Sequence, residues 1–175
     1  MKGSYLLSVF LDRPRRLTIG RKGTFDFPAG HYLYCGSALN GLEARINRHL
    51  RPEKKLHWHI DYLVGEARIL EVWWQEGSQR LECTWSERIA TLGGEVAVRG
   101  FGSSDCRCPT HLLWLGTREE LNRVHAAAFP DGFTGRRVVY ELGNNETGYC
   151  HSPIPAHPEP VEGRPSPCRG STSSP

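Results

Sequence analysis

The sequence predicts an α+β domain: a small antiparallel three-stranded central sheet with flanking helices, then an extra C-terminal helix and strand, then a disordered tail. Three observations carry this. Up to Tyr34 the chain alternates apolar, β-rich runs with short turns, the pattern of antiparallel strands. Later segments repeat apolar residues at helical spacing. From Cys150 onward Pro, Ser and Gly dominate and apolar residues nearly vanish, so too little surface can be buried there to offset chain entropy.

In chain order, Tyr5–Leu11 is the first strand, and Asp12-Arg13-Pro14 turns it into a returning strand over Arg16–Ile19. Gly20-Arg21-Lys22-Gly23 makes a second turn. Phe25 and Phe27 alternate with polar neighbours before Pro28-Ala29-Gly30 bends the chain into His31–Tyr34. A basic helix is expected from about Asn40, where Asn40 and Glu43 have capping-box spacing. Its Leu42, Ile46 and Leu50 face a core, while Arg45, Arg48 and His49 form a cationic shelf on the other side. Pro52 stops that helix. His57–Leu63 is long enough for one or two helical turns, and its two histidines, two positions apart, diverge on a helix and make no paired metal face. A strand over Ala67–Trp74 follows. A helix from Ser78 or Gln79 to about Thr91 buries Leu81, Trp85 and Ile89, and Glu82 lies in its first turn beside the helix dipole. Residues 100–111 form a loop. His111–Leu115 is a short strand, Arg118–Phe129 a helix, and Arg136–Leu142 the last strand. The domains are therefore expected at 1–115, a packed extension at 116–150, and a disordered tail at 151–175.

Composition narrows the function. With 175 residues and 38% hydrophobic content, the chain has enough apolar material for one core. Residues 1–60 carry 11 Lys and Arg against 4 Asp and Glu, leaving 11 against 15 for the remainder. The basic half holds the shelf, which suits a polyanion such as nucleic acid. No run of apolar residues is long enough for a membrane span, and Met-Lys-Gly-Ser-Tyr leads directly into a strand without an export signal's apolar region. Six scattered cysteines read as thiols rather than as a disulfide scaffold, and a cytoplasmic location is expected.

Gly3-Ser4-Tyr5 at one strand, Tyr34-Cys35-Gly36 at another and Arg45 on the following helix together resemble the GIY-YIG nuclease superfamily, with Ser4 and Cys35 standing where its name has isoleucine. The chain is most similar to the branch catalogued as domain of unknown function 123, from Lys2 to about Leu115. The resemblance implies a metal-dependent endonuclease hydrolysing DNA phosphodiester bonds in repair or processing. It implies catalytic roles for Tyr5 as base, Tyr34, Arg45 and Glu82, with Glu82 holding Mg²⁺ or Mn²⁺ and Glu87 as the alternative ligand. His49 is a second base candidate or a phosphate contact. Arg45, Arg48, Lys54 and Lys55 are the candidate contacts to DNA.

The loop at 100–111 carries Ser103, Ser104, Asp105, Cys106, Cys108 and His111, and is expected to border the cleft. Cys106, Cys108 and His111 are three of the four ligands a structural zinc needs, and Cys83, His57 or His59 could supply the fourth. Cys-x-Cys is not the common zinc spacing and no second pair follows, so tightly bound zinc is not expected. Two rival functions stand beside the nuclease: a nucleic-acid-binding module without catalysis, and a zinc-binding structural or interaction domain built on this loop.

Deleting residues 152–175 is expected to leave melting temperature and cleavage unchanged. Sustained amide-exchange protection in that segment of the intact chain would contradict the boundary.

Overall fold

The computed structural model describes residues 1–140; the tail expected from residue 151 and the end of the C-terminal extension lie outside the described residues. In order the elements are β1 (Gly3–Leu11), β2 (Arg15–Ile19), β3 (Gly23–Phe27), β4 (Gly30–Ala38), α1 (Leu42–Leu50), α2 (His59–Val64), β5 (Arg68–Glu76), α3 (Glu82–Thr91), β6 (Glu95–Val96), β7 (Leu112–Gly116), α4 (Arg118–Ala128) and β8 (Gly135–Val138). The α+β class holds, with an antiparallel main sheet and four helices among the described residues.

The sheet itself corrects the expectation. It has six strands, in the order β6-β7-β4-β1-β5-β8, and β2 with β3 forms a separate two-stranded ribbon. Reading three strands from the first 34 residues assumed that chain neighbours share one sheet. Instead β4 and β5 take the two edges of β1, each along nearly its whole length, and leave no edge free for β2. The ribbon folds over one face, where Ile19 and Phe27 enter the core.

Both faces of the main sheet are covered, which accounts for the nearly unbroken apolar run in β1 where a one-sided sheet would alternate. On one face Tyr5, Leu7, Val9 and Leu11 join Tyr32 and Tyr34 of β4 beneath Leu42, Ile46, Ile60 and Leu63 of α1 and α2. On the other, Leu6, Leu33, Cys35 and Trp73 pack under Trp85 and Ile89 of α3 and Leu121 and Val124 of α4.

Two helix starts differ from expectation for identifiable reasons. α1 begins at Leu42, with Gly41 as N-cap and no side-chain cap, so Asn40 and Glu43 make no capping box. The Leu42 N–H is already taken by the Met1 carbonyl at 3.0 Å. α3 begins at Glu82 rather than Ser78 or Gln79. Ahead of it, Ser4 Oγ accepts the Leu81 N–H at 2.9 Å and shares a 2.7 Å hydrogen bond with Ser37 Oγ. β1 thus holds the start of α3 in place.

Ser4→Ala should therefore leave the Leu81 N–H without this partner and destabilise the fold by about 1–3 kcal/mol. Urea unfolding of the variant checks this, and unchanged stability would remove Ser4 as the anchor.

Candidate active site

The strand register brings the two tyrosines together. Tyr5 lies opposite Gly36 and Leu7 opposite Tyr34, so Tyr5 and Tyr34 are diagonal neighbours on one face, with ring centroids 6.5 Å apart. Gly36 makes this possible, because a Cβ there would collide with the Tyr5 ring. Gly102 does the same for Tyr34: its φ is +71°, and a Cβ would press on the Tyr34 ring edge at 2.8 Å.

α1 approaches the same face. The Tyr5 hydroxyl is 2.8 Å from His49 Nε2, and the Arg45 guanidinium stands close enough to pull the phenol's pKa down. Arg45 and His49, one turn apart, therefore do share a neighbour, and it is the phenol. His49 itself corrects the shelf reading: it is only 2% exposed and belongs to the buried stripe with Leu42 and Ile46. The apolar stripe of a core-facing helix widens beyond positions spaced by four, and His49, three after Ile46, falls on it.

A buried carboxylate organises the rest. Asp61 accepts bidentate hydrogen bonds from Arg48, both 2.9 Å, and from the His57 and Trp58 N–H groups, also 2.9 Å. Burial alone would raise its pKa, but Arg48 and the two N–H groups outweigh burial and bring it down to about 2. Arg48 is thereby committed to Asp61 and to the Lys55 carbonyl. The Arg45 and Arg48 guanidiniums each lie 4.0 Å from the Trp58 ring centroid. Lys54 turns back to the His49 carbonyl at 2.6 Å, and Lys55 is exposed. Of the four expected DNA contacts, Arg45 alone lines the cleft.

Burial pushes the Tyr5 hydroxyl well above the ordinary phenol range; Arg45 pulls it down, and Asp61 and Glu82 push it further up. Arg45 favours the phenolate, but burial outweighs it, so the resting group is a neutral phenol. Tyr34 is raised for the same first reason. Burial, helped by Lys54, lowers His49 to about 3, so at neutral pH its ring is uncharged and Nε2 stands within hydrogen-bond reach of the Tyr5 hydroxyl. His49 Nδ1 has no hydrogen-bond partner among the described residues, and Asp61 Oδ1 stands 3.9 Å from it.

Across the cleft, Glu82 at the first turn of α3 is 8% exposed and accepts a hydrogen bond from the Ser37 hydroxyl. Arg80 Nη1 lies 3.8 Å from Glu82 and 3.4 Å from Asp105. Tyr5, Tyr34, Arg45 and Glu82 all line one polar cavity of about 400 Å³, with Ser104, Asp105 and His111 on its rim from the loop. The loop is held by the Gly102 N–H, which donates to His59 Nδ1 at 3.0 Å, and by Phe101 against Tyr34 and Phe27. Glu87, the alternative to Glu82, lines a different groove beside Cys108.

The family described as domain of unknown function DUF123 matches residues 4–133, which include the whole of this cleft. The chain belongs to the DUF123 family. No curated protein and no solved structure matches it. The DUF123 match runs past Leu115, where the sequence resemblance was expected to end, and takes in α4.

Sequence reasoning missed Asp61, Trp58, Ser37 and Arg80. Only Asp61 left a signal: an acid inside the apolar helical run His59–Val64 with Ile60 and Leu63 on either side needs a buried partner.

Stability should fall on acidification, with the sign set by groups held below their ordinary pKa values, His31 (about 4), His49 and Asp61 among them. His49 is about 3 in the fold against 6.5 ordinarily, so its contribution is full above pH 6.5 and is lost as the pH falls toward 3. Asp61, about 2 against 3.8, adds a loss confined to the lowest part of that range. Melting temperature should begin to drop below about pH 6.5, His49→Gln should flatten the upper part of the decline, and Asp61→Asn should destabilise at neutral pH by about 3–5 kcal/mol. A pH-independent melting temperature between 7 and 4 would contradict the assignment.

Proposed function

We propose that this DUF123 domain is a metal-dependent endonuclease of the GIY-YIG superfamily, hydrolysing DNA phosphodiester bonds in repair or processing. The observation that carries the reading is the convergence of Tyr5, Tyr34, Arg45 and Glu82 on one polar cavity, with Tyr5 hydrogen-bonded to His49. A cavity built only for packing would not gather two phenols, a guanidinium and a carboxylate.

Hydrolysis needs a proton removed from water and the charge on the phosphate compensated. A buried neutral phenol is a poor base by itself, so Tyr5 acts in concert with His49. As Tyr5 Oη takes a proton from water, its own proton passes to His49 Nε2, and no phenolate need persist. The new imidazolium faces Asp61. Arg45 supplies a planar fork of donors for phosphate oxygens, while Trp58 and the Tyr5 contact fix its position. Tyr34 presents its hydroxyl to the attacking water or the phosphate.

Glu82 and Ser37 are hard oxygen donors on the wall of a polar cavity, and a single carboxylate completed by waters and substrate phosphate suits Mg²⁺ or Mn²⁺. Either ion, when bound, would offset charge on the non-bridging and leaving oxygens.

The test is a cleavage screen of branched, nicked and single-stranded DNAs with Mg²⁺ or Mn²⁺. Glu82→Gln and Arg45→Ala should each lower single-turnover cleavage by about 10²–10³ with the fold intact, and binding should survive better than cutting. His49→Gln, which keeps a hydrogen-bond acceptor but carries no proton, should slow cleavage without loosening binding. Tight DNA binding by the parent with no cutting in either metal would assign the domain to binding alone, and full activity in Glu82→Gln would move the metal ligand elsewhere.

A further inference from the structure

Beside the cleft, on its α3 side, lies a second cluster that the proposed hydrolysis does not use. Cys83 comes from the first turn of α3, and Cys106, Cys108 and His111 from the loop leading into β7. One ligand atom of each lies within 4.8 Å of every other. His111 is buried, and the three thiols are partly accessible. No disulfide joins them.

The distances fit a tetrahedral ion. Zinc–sulfur bonds of about 2.3 Å and zinc–nitrogen bonds of about 2.0–2.1 Å at tetrahedral angles put sulfur and nitrogen about 3.5 Å apart. Cys83 Sγ and Cys106 Sγ are 3.6 and 3.4 Å from His111 Nε2. The His111 backbone N–H donates to the Phe101 carbonyl at 2.8 Å, which fixes the residue at the end of the loop. Thiols alone explain the convergence poorly, since each offers one weak donor and a weak acceptor and three of them crowd a single imidazole. Three thiolates and an imidazole are a closed structural zinc set, whereas the common iron–sulfur clusters use four thiolates.

We propose that Cys83, Cys106, Cys108 and His111 bind one structural zinc ion that fastens the 103–111 loop to the first turn of α3. The expectation of no tightly bound zinc rested on an uncommon spacing with no second pair, and it left the fourth ligand open among Cys83, His57 and His59. Cys83, distant in sequence, fills the vacancy, and the fold makes the Cys-x-Cys pair half of a site whose other members lie on α3 and at the start of β7. Binding converts three thiols to thiolates and releases three protons to solvent. The ion would stand next to Glu82 in the chain yet coordinate none of the residues assigned to hydrolysis, so the site holds whether or not the cleft cuts DNA.

The experiment is elemental analysis of the full chain purified without chelator, followed by removal of the metal and titration with Co²⁺. About one zinc per chain is expected, as is the intense visible absorption of tetrahedral thiolate-bound cobalt, bleached by added Zn²⁺. Metal removal should lower the melting temperature, because binding energy at such a site is folding energy. Cys106→Ser with Cys108→Ser should lose the zinc. Cys150→Ser with Cys168→Ser should keep it, which separates this cluster from the two thiols outside the described residues. The cobalt titration uses the parent chain, so misfolding of a cysteine variant does not blunt the test. Metal-free protein that gives no thiolate–cobalt spectrum, zinc lost with Cys150 and Cys168 instead, or a disulfide between any two of Cys83, Cys106 and Cys108 by mass spectrometry would each overturn the assignment.

Discussion

A carboxylate with no access to water must be paired, and the pairing of Asp61 decides how the helices over the sheet are placed. Its four acceptor contacts reach Arg48 of α1 and the backbone that leads into α2. α1 cannot slide or rotate against α2 without breaking charged hydrogen bonds in a buried setting, where an unpaired ion is strongly disfavoured. Once α1 is locked, His49 meets Tyr5 and Arg45 meets both Tyr5 and Trp58. The geometry of the cleft therefore depends on an ion pair outside it.

The sheet supplies the other half of the geometry. β1 contributes Tyr5 to one face and uses Ser4, pointing the other way, to hold the start of α3 and so the position of Glu82. The Gly-Ser-Tyr triplet thus has three separate duties. Gly3 lies so close to the Gln75 carbonyl that a side chain would not fit, Ser4 anchors a helix, and Tyr5 enters the cavity. In Tyr34-Cys35-Gly36 the same alternation sends Cys35 into the core under α3, while Tyr34 and Gly36 face the cleft. Ser4 and Cys35, the middle residues of the two triplets, alternate away from the tyrosines: Ser4 bonds to the start of α3, and Cys35 packs beneath α3 while still lining part of the cavity wall.

Much of this was legible in the sequence, and what was not has a common cause. Apolar spacing gave the helices containing Ile46, Ile89 and Val124 and the runs of β1, β4 and β5, because periodic burial is written into local sequence. Sheet composition was not legible: nothing local in β2 says that it leaves the sheet, since that follows from β5 occupying the edge of β1 some sixty residues later in the chain. The same holds at the site. Tyr5, Tyr34, Arg45 and Glu82 were named from the family resemblance, and the fold brings all four to one cavity. Trp58, Ser37 and Arg80 are ordinary residues that acquire roles only when distant segments meet, and His49 was misplaced by reading a stripe of one residue in four where the helix buries a wider one. Cys83 was named only as one of three candidates for the same reason.

The margins of the main sheet bear on how this domain behaves among its own copies. One border is β6, two residues long, and the other is β8, four residues long, where Arg136 reaches across to Glu71 and Arg137 to Asn47. The long apolar strands β1, β4 and β5 are all interior. A foreign strand approaching this sheet meets either a border too short to template pairing or one lined with arginines already engaged in the fold. Such borders discourage edge-to-edge growth, and they let a chain whose three longest strands are mostly buried and apolar avoid exposing any of them as a seed for aggregation.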